Sequence, residues 1–197
     1  MSMERFQKEV TAFFRNLYEE ERKVLVFGEG RVGAPVMMIG EAPGEQESLQ
    51  GRPFVGKAGK NLDAFLEQAG MDRASLYVTN VVKFRPTRCS EAGRTVNRPP
   101  TQEEIKLFLP WLLREINLVN PKYIITLGNV PLKALTGRGS VIGEMHGQFV
   151  DWQGRQLFAM YHPASVIYNP GLKEVYSRDI ATFACRYREE TEKERGK

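Results

Sequence analysis

Apolar positions recur along this chain with two different spacings. Between Met3 and Glu21, residues Phe6, Val10, Phe13, Phe14 and Leu17 fall at steps of three and four. That spacing predicts an amphipathic helix whose apolar face needs a partner. Four short apolar runs follow: VMMI from Val36, LYVTNVV from Leu76, YIITL from Tyr123 and LFAMY from Leu157. Each is bounded by Gly, Pro or Asn and predicts a strand. Helical spacing returns over Ala58 to Ala69, Thr101 to Val119, Val130 to Leu135 and Val175 to Tyr187. Strands this uniformly apolar are buried on both faces, and their alternation with helices predicts a parallel sheet covered on both sides. The expected fold is α/β, a three-layer α/β/α sandwich around a central four-stranded, mainly parallel sheet. HGQFVDWQGRQLFAM departs from the pattern, because Gln-Gly between two apolar stretches predicts a hairpin feeding the last strand.

Composition adds bounds. With 197 residues and 42% hydrophobic content the chain can bury one core, so a single domain over 1–197 is expected. Residues 1–23 form its first helical segment and 188–197 a charged end, REETEKERGK. The net charge of +4 suits an acidic polymer but also an ordinary protein. Two cysteines, Cys89 and Cys185, are too few for a disulfide framework or a four-thiolate metal site. No apolar run reaches the roughly 20 residues needed to span a bilayer, and the start MSMERFQKEV lacks a signal-peptide core. A soluble cytoplasmic monomer, without membrane association or cofactor, is expected. In a parallel sheet, ligands gather beyond the carboxyl ends of the strands. The segments GEAPG after the first run, Asn80 in the second, GNVP after the third and HPAS after the fourth should therefore converge on one site.

Five segments, GEAPG, GRPFVGKAG, TNVVKFRP, LGNVPLKALTG and YHPASVIYNP, occur in the order and spacing of the uracil-DNA glycosylase superfamily. The chain resembles most closely its family 4 branch, over about Val24 to Ala184. The resemblance implies a DNA repair enzyme of base excision repair. Such an enzyme hydrolyses the N-glycosidic bond of uracil in DNA, releases the base and leaves an abasic site. The partner is then uracil-containing DNA, and other deaminated bases are candidate substrates. Two other readings stay open: a non-catalytic binder of flipped or damaged bases, and a hydrolase of free nucleotides or nucleotide sugars.

The residues suit this chemistry. A flipped base costs a few kcal/mol of unstacking, and stacking on an aromatic ring such as Phe54 returns about 1 to 3 kcal/mol. Asn80 matches the family position that reads uracil, since one amide supplies NH to O4 and carbonyl to N3–H. Cytosine reverses both groups and would be mispaired. His162 matches the histidine beside uracil O2, where a donor stabilises charge developing on the leaving base. Glu41 is assigned the water-positioning and electrostatic role, with Glu47 as alternative or helper; Ser48 stands where the family often has Asp. Small Ala42 leaves room beside the water, and Glu45 reads as a solvated acid.

Gly56, Lys57 and Gly59 precede a helix whose positive end suits a phosphate. The spacing of a nucleotide-triphosphate loop is absent there. Ser165 is expected to contact DNA, and Val166, Ile167 and Tyr168 after it occupy the place of the superfamily's apolar wedge, although ordinary packing would also account for these three. Lys83, Arg85, Arg88, Arg94 and Arg98, in a loop longer than is usual for the family, read as a salt-sensitive grip on the DNA backbone or as a solvated loop. A related branch captures DNA covalently through a His in this loop. None lies between Phe84 and Pro100, so turnover is expected. Family 4 members commonly hold an iron–sulfur cluster with four cysteines, and the matching positions here are Phe14, Leu17, Phe84 and Phe108. A hydrophobic cluster is expected to replace the metal, tying the first helix to the basic loop and the long helix. His146, outside any motif, reads as structural or surface.

Overall fold

Val36, Met37, Met38 and Ile39 are all buried, yet alternate residues belong to two separate cores, one on each side of the strand. Successive strand side chains point to opposite faces, so an unbroken apolar run is what a sheet covered twice requires. A computed structural model describes residues 2–18, 23–137 and 139–195. Its elements are α1 (Met3–Tyr18), β1 (Glu29–Gly30), β2 (Val36–Gly40), α2 (Glu45–Gln50), α3 (Lys57–Gln68), β3 (Tyr77–Asn80), β4 (Thr87–Cys89), β5 (Thr95–Asn97), α4 (Gln102–Val119), β6 (Tyr123–Leu127), α5 (Asn129–Thr136), α6 (Ile142–Met145), β7 (Phe149–Trp152), β8 (Arg155–Met160), α7 (Ser165–Tyr168) and α8 (Leu172–Arg195). The part of the expected first helix at 19–21 lies outside the described residues, as do 196 and 197 of the charged end. The remainder of that end continues α8.

The four expected strands are β2, β3, β6 and β8, and they pair in parallel. The sheet is wider than four strands, with order β1-β3-β2-β6-β8-β7. One added edge, β7, is the first arm of the foreseen hairpin: Gln153 and Gly154 both take positive φ between paired Trp152 and Arg155. That is the backbone a two-residue hairpin turn demands. The other, β1, is a two-residue strand antiparallel to β3. A separate ribbon, β4 with β5, replaces the expected basic loop.

Leu62, Phe65 and Leu66 of α3 and Tyr176, Ile180 and Phe183 of α8 cover one face of the sheet. Phe14 of α1, Phe108, Leu112 and Ile116 of α4 and Leu132 of α5 cover the other, completing the α/β/α layers. The apolar face of α1 is completed by aromatic packing. Phe14 lies 5.9 Å from Phe84 and 6.5 Å from Phe108 between ring centroids, and Phe84 lies 5.7 Å from Phe108. Leu17 is a correction, because it is 42% exposed and stands outside this cluster. Tyr18 approaches Phe84 instead, at 5.0 Å.

Truncating the centre of this cluster tests its weight. Phe108→Ala is expected to lower unfolding free energy by about 3 to 5 kcal/mol, because a buried ring leaves a cavity its neighbours only partly fill. Urea denaturation of the two proteins measures the difference.

Candidate active site

The carboxyl ends of the four parallel strands bring together the segments that sequence had placed there. Gly40, the last residue of β2, is in register with Asn80, the last of β3. A Cβ on Gly40 would stand 2.4 Å from Asn80 Oδ1 and 2.4 Å from Phe54 Cζ, so the missing side chain is what lets the amide and the ring lie together. Phe54 has φ of 54°, a left-handed conformation costly for a bulky residue, and the surroundings enforce it. Arg73 donates to the carbonyls of Pro53 at 3.0 Å and Phe54 at 3.1 Å, and is itself held by Asp63 at 2.6 Å. Gly59, expected to face phosphate, is buried instead. A Cβ there would lie 1.9 Å from the Phe54 carbonyl oxygen, so its role is to admit the Phe54 main chain.

Glu47 is 8% exposed, and both of its oxygens are taken by backbone. Oε2 accepts from Gly44 N–H at 3.1 Å; Oε1 accepts from Val55 at 3.0 Å and Gly56 at 2.7 Å. A carboxylate so held joins the GEAPG turn to the Phe54 loop, with most of its acceptor sites committed to backbone. The Gly56 N–H is likewise committed to Glu47, whereas Lys57 at the start of α3 is exposed.

Glu41 is the contrasting acid. Its carboxylate makes no hydrogen bond or ion pair among the described residues, and burial raises its pKa above the ordinary 4.5. Ala42 is partly buried beside it. Asn80 is 4% exposed, and its side-chain amide also makes no hydrogen bond among the described residues. The His162 ring lies 6.1 Å from Phe54 at an interplanar angle of 31°. Its Nδ1 accepts from Ala164 N–H at 3.1 Å, which places the proton of the neutral ring on Nε2. Burial pushes its pKa down to about 4, against the opposing charge of Glu47. Ser165 N–H and Oγ–H both donate to the His162 carbonyl, at 2.8 and 2.6 Å. Asn61 of α3 donates to Pro163 O at 3.1 Å. Val166 is half-buried, whereas Ile167 is exposed and Tyr168 is 86% exposed.

The basic residues divide sharply. Arg88 and Arg94 are exposed on the β4–β5 ribbon and make no ion pair among the described residues. Arg85 sits between Asn97 Oδ1 at 2.6 Å and Glu45 at 3.2 Å, so Glu45 is a clasp for the ribbon and not merely solvated. Arg98 grips Glu104 with two bonds of 2.7 Å. Lys83 is the clearest correction: it is fully buried and paired with Glu115 at 2.5 Å, where no phosphate could reach it. His146 bonds Asp179 at 2.7 Å, in keeping with a structural role. Both cysteines are exposed, and among the described residues no group of three or more His, Cys, Asp or Glu side chains is placed to hold a metal. With rings at three of the four relevant positions, the residues do not fit an iron–sulfur cluster.

Sequence reasoning missed Arg73, Asn61 and Glu115, whose contacts cross between distant segments. Glu115 alone left a signal, as an acid on the apolar stripe of α4.

The description "Uracil DNA glycosylase superfamily" belongs to the family model that matches residues 27–183. The type-4 uracil-DNA glycosylase of Pyrobaculum aerophilum is 39% identical over 172 residues, 82% of this chain and 83% of that protein. The type-4 enzyme of Sulfurisphaera tokodaii is 36% identical over 188 residues, 91% of this chain and 82% of its own. Among solved structures, wild-type Pedobacter heparinus SMUG2 shares the fold with a TM-score of 0.50 at 13% identity, covering 96% of this chain and 85% of that one.

The knot at Glu47 is directly testable. In Glu47→Gln the amide presents an NH2 group toward either Gly44 or the Val55–Gly56 pair, leaving a backbone donor unmet. A loss of about 1 to 3 kcal/mol in thermal or urea unfolding is expected. A variant as stable as the parent would contradict this account.

Proposed function

Because the chain belongs to the uracil DNA glycosylase superfamily, we propose that it hydrolyses the N-glycosidic bond of uracil in DNA as a monofunctional repair glycosylase. The observation that carries the reading is Asn80: a residue only 4% exposed whose amide makes no hydrogen bond among the described residues, next to Phe54 at the strand ends. The natural complement of an amide held in this way with no internal partner is a ligand that offers one acceptor and one donor side by side. The O4 and N3–H edge of uracil is such a ligand. Phe54 stacks on the flipped base, and Tyr168 and Ile167, exposed beyond His162, fill the gap it leaves in the duplex. Lys57, Arg88 and Arg94 meet phosphates.

The chemistry is a dissociative cleavage. As the bond to the anomeric carbon breaks, the electron pair leaves with the base and the sugar becomes cationic. His162, neutral with its proton on Nε2, donates to O2 and stabilises the uracil anion without transferring a full proton. Glu41, near the sugar and without competing partners among the described residues, stabilises the cation and orients the water whose oxygen forms the new bond; the proton this water loses passes to the Glu41 carboxylate and from there to solvent, which also protonates the released uracil anion. Glu47 acts by holding the two loops that carry these groups.

Incubation with single-stranded and duplex oligonucleotides holding uracil, hypoxanthine or xanthine, followed by alkali, should give strand breaks at uracil. Binding without breakage on any substrate would instead support a non-catalytic reader of damaged bases. Glu41→Gln should slow single-turnover cleavage roughly 10²- to 10⁴-fold with uracil-DNA binding largely kept. Asn80→Asp should shift base choice.

The pH profile separates the two titrating groups. Glu41 acts as the anion and ionises above its ordinary 4.5, whereas His162 stays neutral until pH falls to about 4. Activity should therefore rise with pH through a single limb centred above 4.5. That limb should vanish in Glu41→Gln and survive in His162→Gln; the reverse pattern would exchange the assignments.

A further inference from the structure

β3 ends on the residue that reads the base, and the chain then folds back beneath it. Lys83, three positions on, is fully buried, as is Glu115 of α4. The three protons of the ammonium are all placed: on Glu115 Oε2 at 2.5 Å, on Thr79 Oγ1 at 2.6 Å and on the main-chain carbonyl of Asn80 at 2.8 Å. Glu115 is equally engaged, accepting from the Tyr77 hydroxyl at 3.0 Å and from the Thr79 hydroxyl at 3.1 Å. Burial lowers the pKa of Lys83 while Glu115 opposes that shift.

A buried ion pair is a poor device for stability, because well-packed apolar side chains of similar size often do as well or better. What an apolar pair cannot do is donate a directed bond to a carbonyl. The carbonyl in question belongs to the last residue of the strand, and its orientation fixes the Asn80 peptide. Thr79 faces Glu115 on the α4 side, so the Asn80 amide is thrown to the opposite face, toward Phe54 and Gly40.

We propose that Lys83 and Glu115 are a positioning pair, which sets the direction of the Asn80 amide and hence its hydrogen bonds to the base. The inference rests on Asn80 reading uracil. Neither side chain touches substrate, and both act through Asn80.

The test is a thermodynamic cycle on cleavage. Lys83→Met with Glu115→Leu removes both charges together, so neither is left buried alone. Single-turnover cleavage of a uracil duplex, corrected for the folded fraction, should fall about tenfold or more, since a small misplacement of a catalytic contact has effects of that size. Affinity for the same duplex with an abasic-site analogue should stay within about twofold, because the backbone contacts are untouched. In an Asn80→Ala background, adding the two substitutions should change the residual rate by less than about twofold, the non-additivity of groups acting through one another. A full rate in the Asn80 background, or a second tenfold loss in the Asn80→Ala background, overturns the proposal. If the double variant does not fold, Thr79→Val, which removes only the bridging hydroxyl, enters the same cycle with the same deciding outcomes. A parent protein that cleaves no uracil substrate overturns the functional reading itself, and is distinguished by that control.

Discussion

The site depends first on one carboxylate that ties two loops together. Glu47 accepts three backbone N–H groups from two loops, the turn after β2 and the segment leading into α3. Charged acceptors make the stronger bonds, and buried main-chain donors must be paired somewhere. These two requirements fix the distance between the turn carrying Glu41 and the loop carrying Phe54. The Gly- and Pro-rich composition of both loops follows from this, because the chain must pass close to the acid and to itself. The charge also lies near His162, where it favours protonation, yet burial outweighs it and the ring stays neutral.

Around that knot, satisfied and unsatisfied polar groups are sharply divided. Arg73, Asn61, Ser165, Glu47, Lys83 and Glu115 all spend their hydrogen bonds on the protein. Glu41 and the Asn80 amide spend none on the described residues. Groups left without internal partners but held by neighbours that have theirs are already oriented before a substrate arrives. Such an arrangement avoids reorganisation at the moment of reaction, which is the main source of electrostatic catalysis.

How much of this was legible in the sequence follows from the range over which each feature is determined. The four parallel strands were readable because burial on both faces leaves an unbroken apolar run, and the hairpin because Gln153–Gly154 is local turn chemistry. Glu29–Gly30 was not, since its pairing is dictated by β3 and its own two residues are exposed. The ribbon at 87–97 was hidden by its polar, exposed strands. Leu17 was misplaced because steps of three and four do not say where a helix face stops facing the core. At the site, residue types suited to contact with a base could be recognised in short segments. The partner of Lys83 could not, although a cation after Val81 and Val82 and an acid in line with Phe108 and Leu112 are each anomalous on a buried surface. Two such anomalies of opposite sign predict a buried pair.

The five residues that begin with Asn80 show why polar and apolar fastening are both present. From Asn80 to Phe84 the chain is held by the ammonium on the Asn80 carbonyl, by Val26 N–H donating to Lys83 O at 2.7 Å, and by the Phe84 ring among Phe14, Tyr18 and Phe108. Aromatic burial supplies most of the attachment but little direction, because it scales with area. Hydrogen bonds supply direction, since they weaken steeply when misaligned. The rings anchor this segment between the sheet and the β4–β5 ribbon, and the polar contacts set its rotation. Both act on one segment because the Asn80 amide stands at one end of it and the exposed ribbon follows the other.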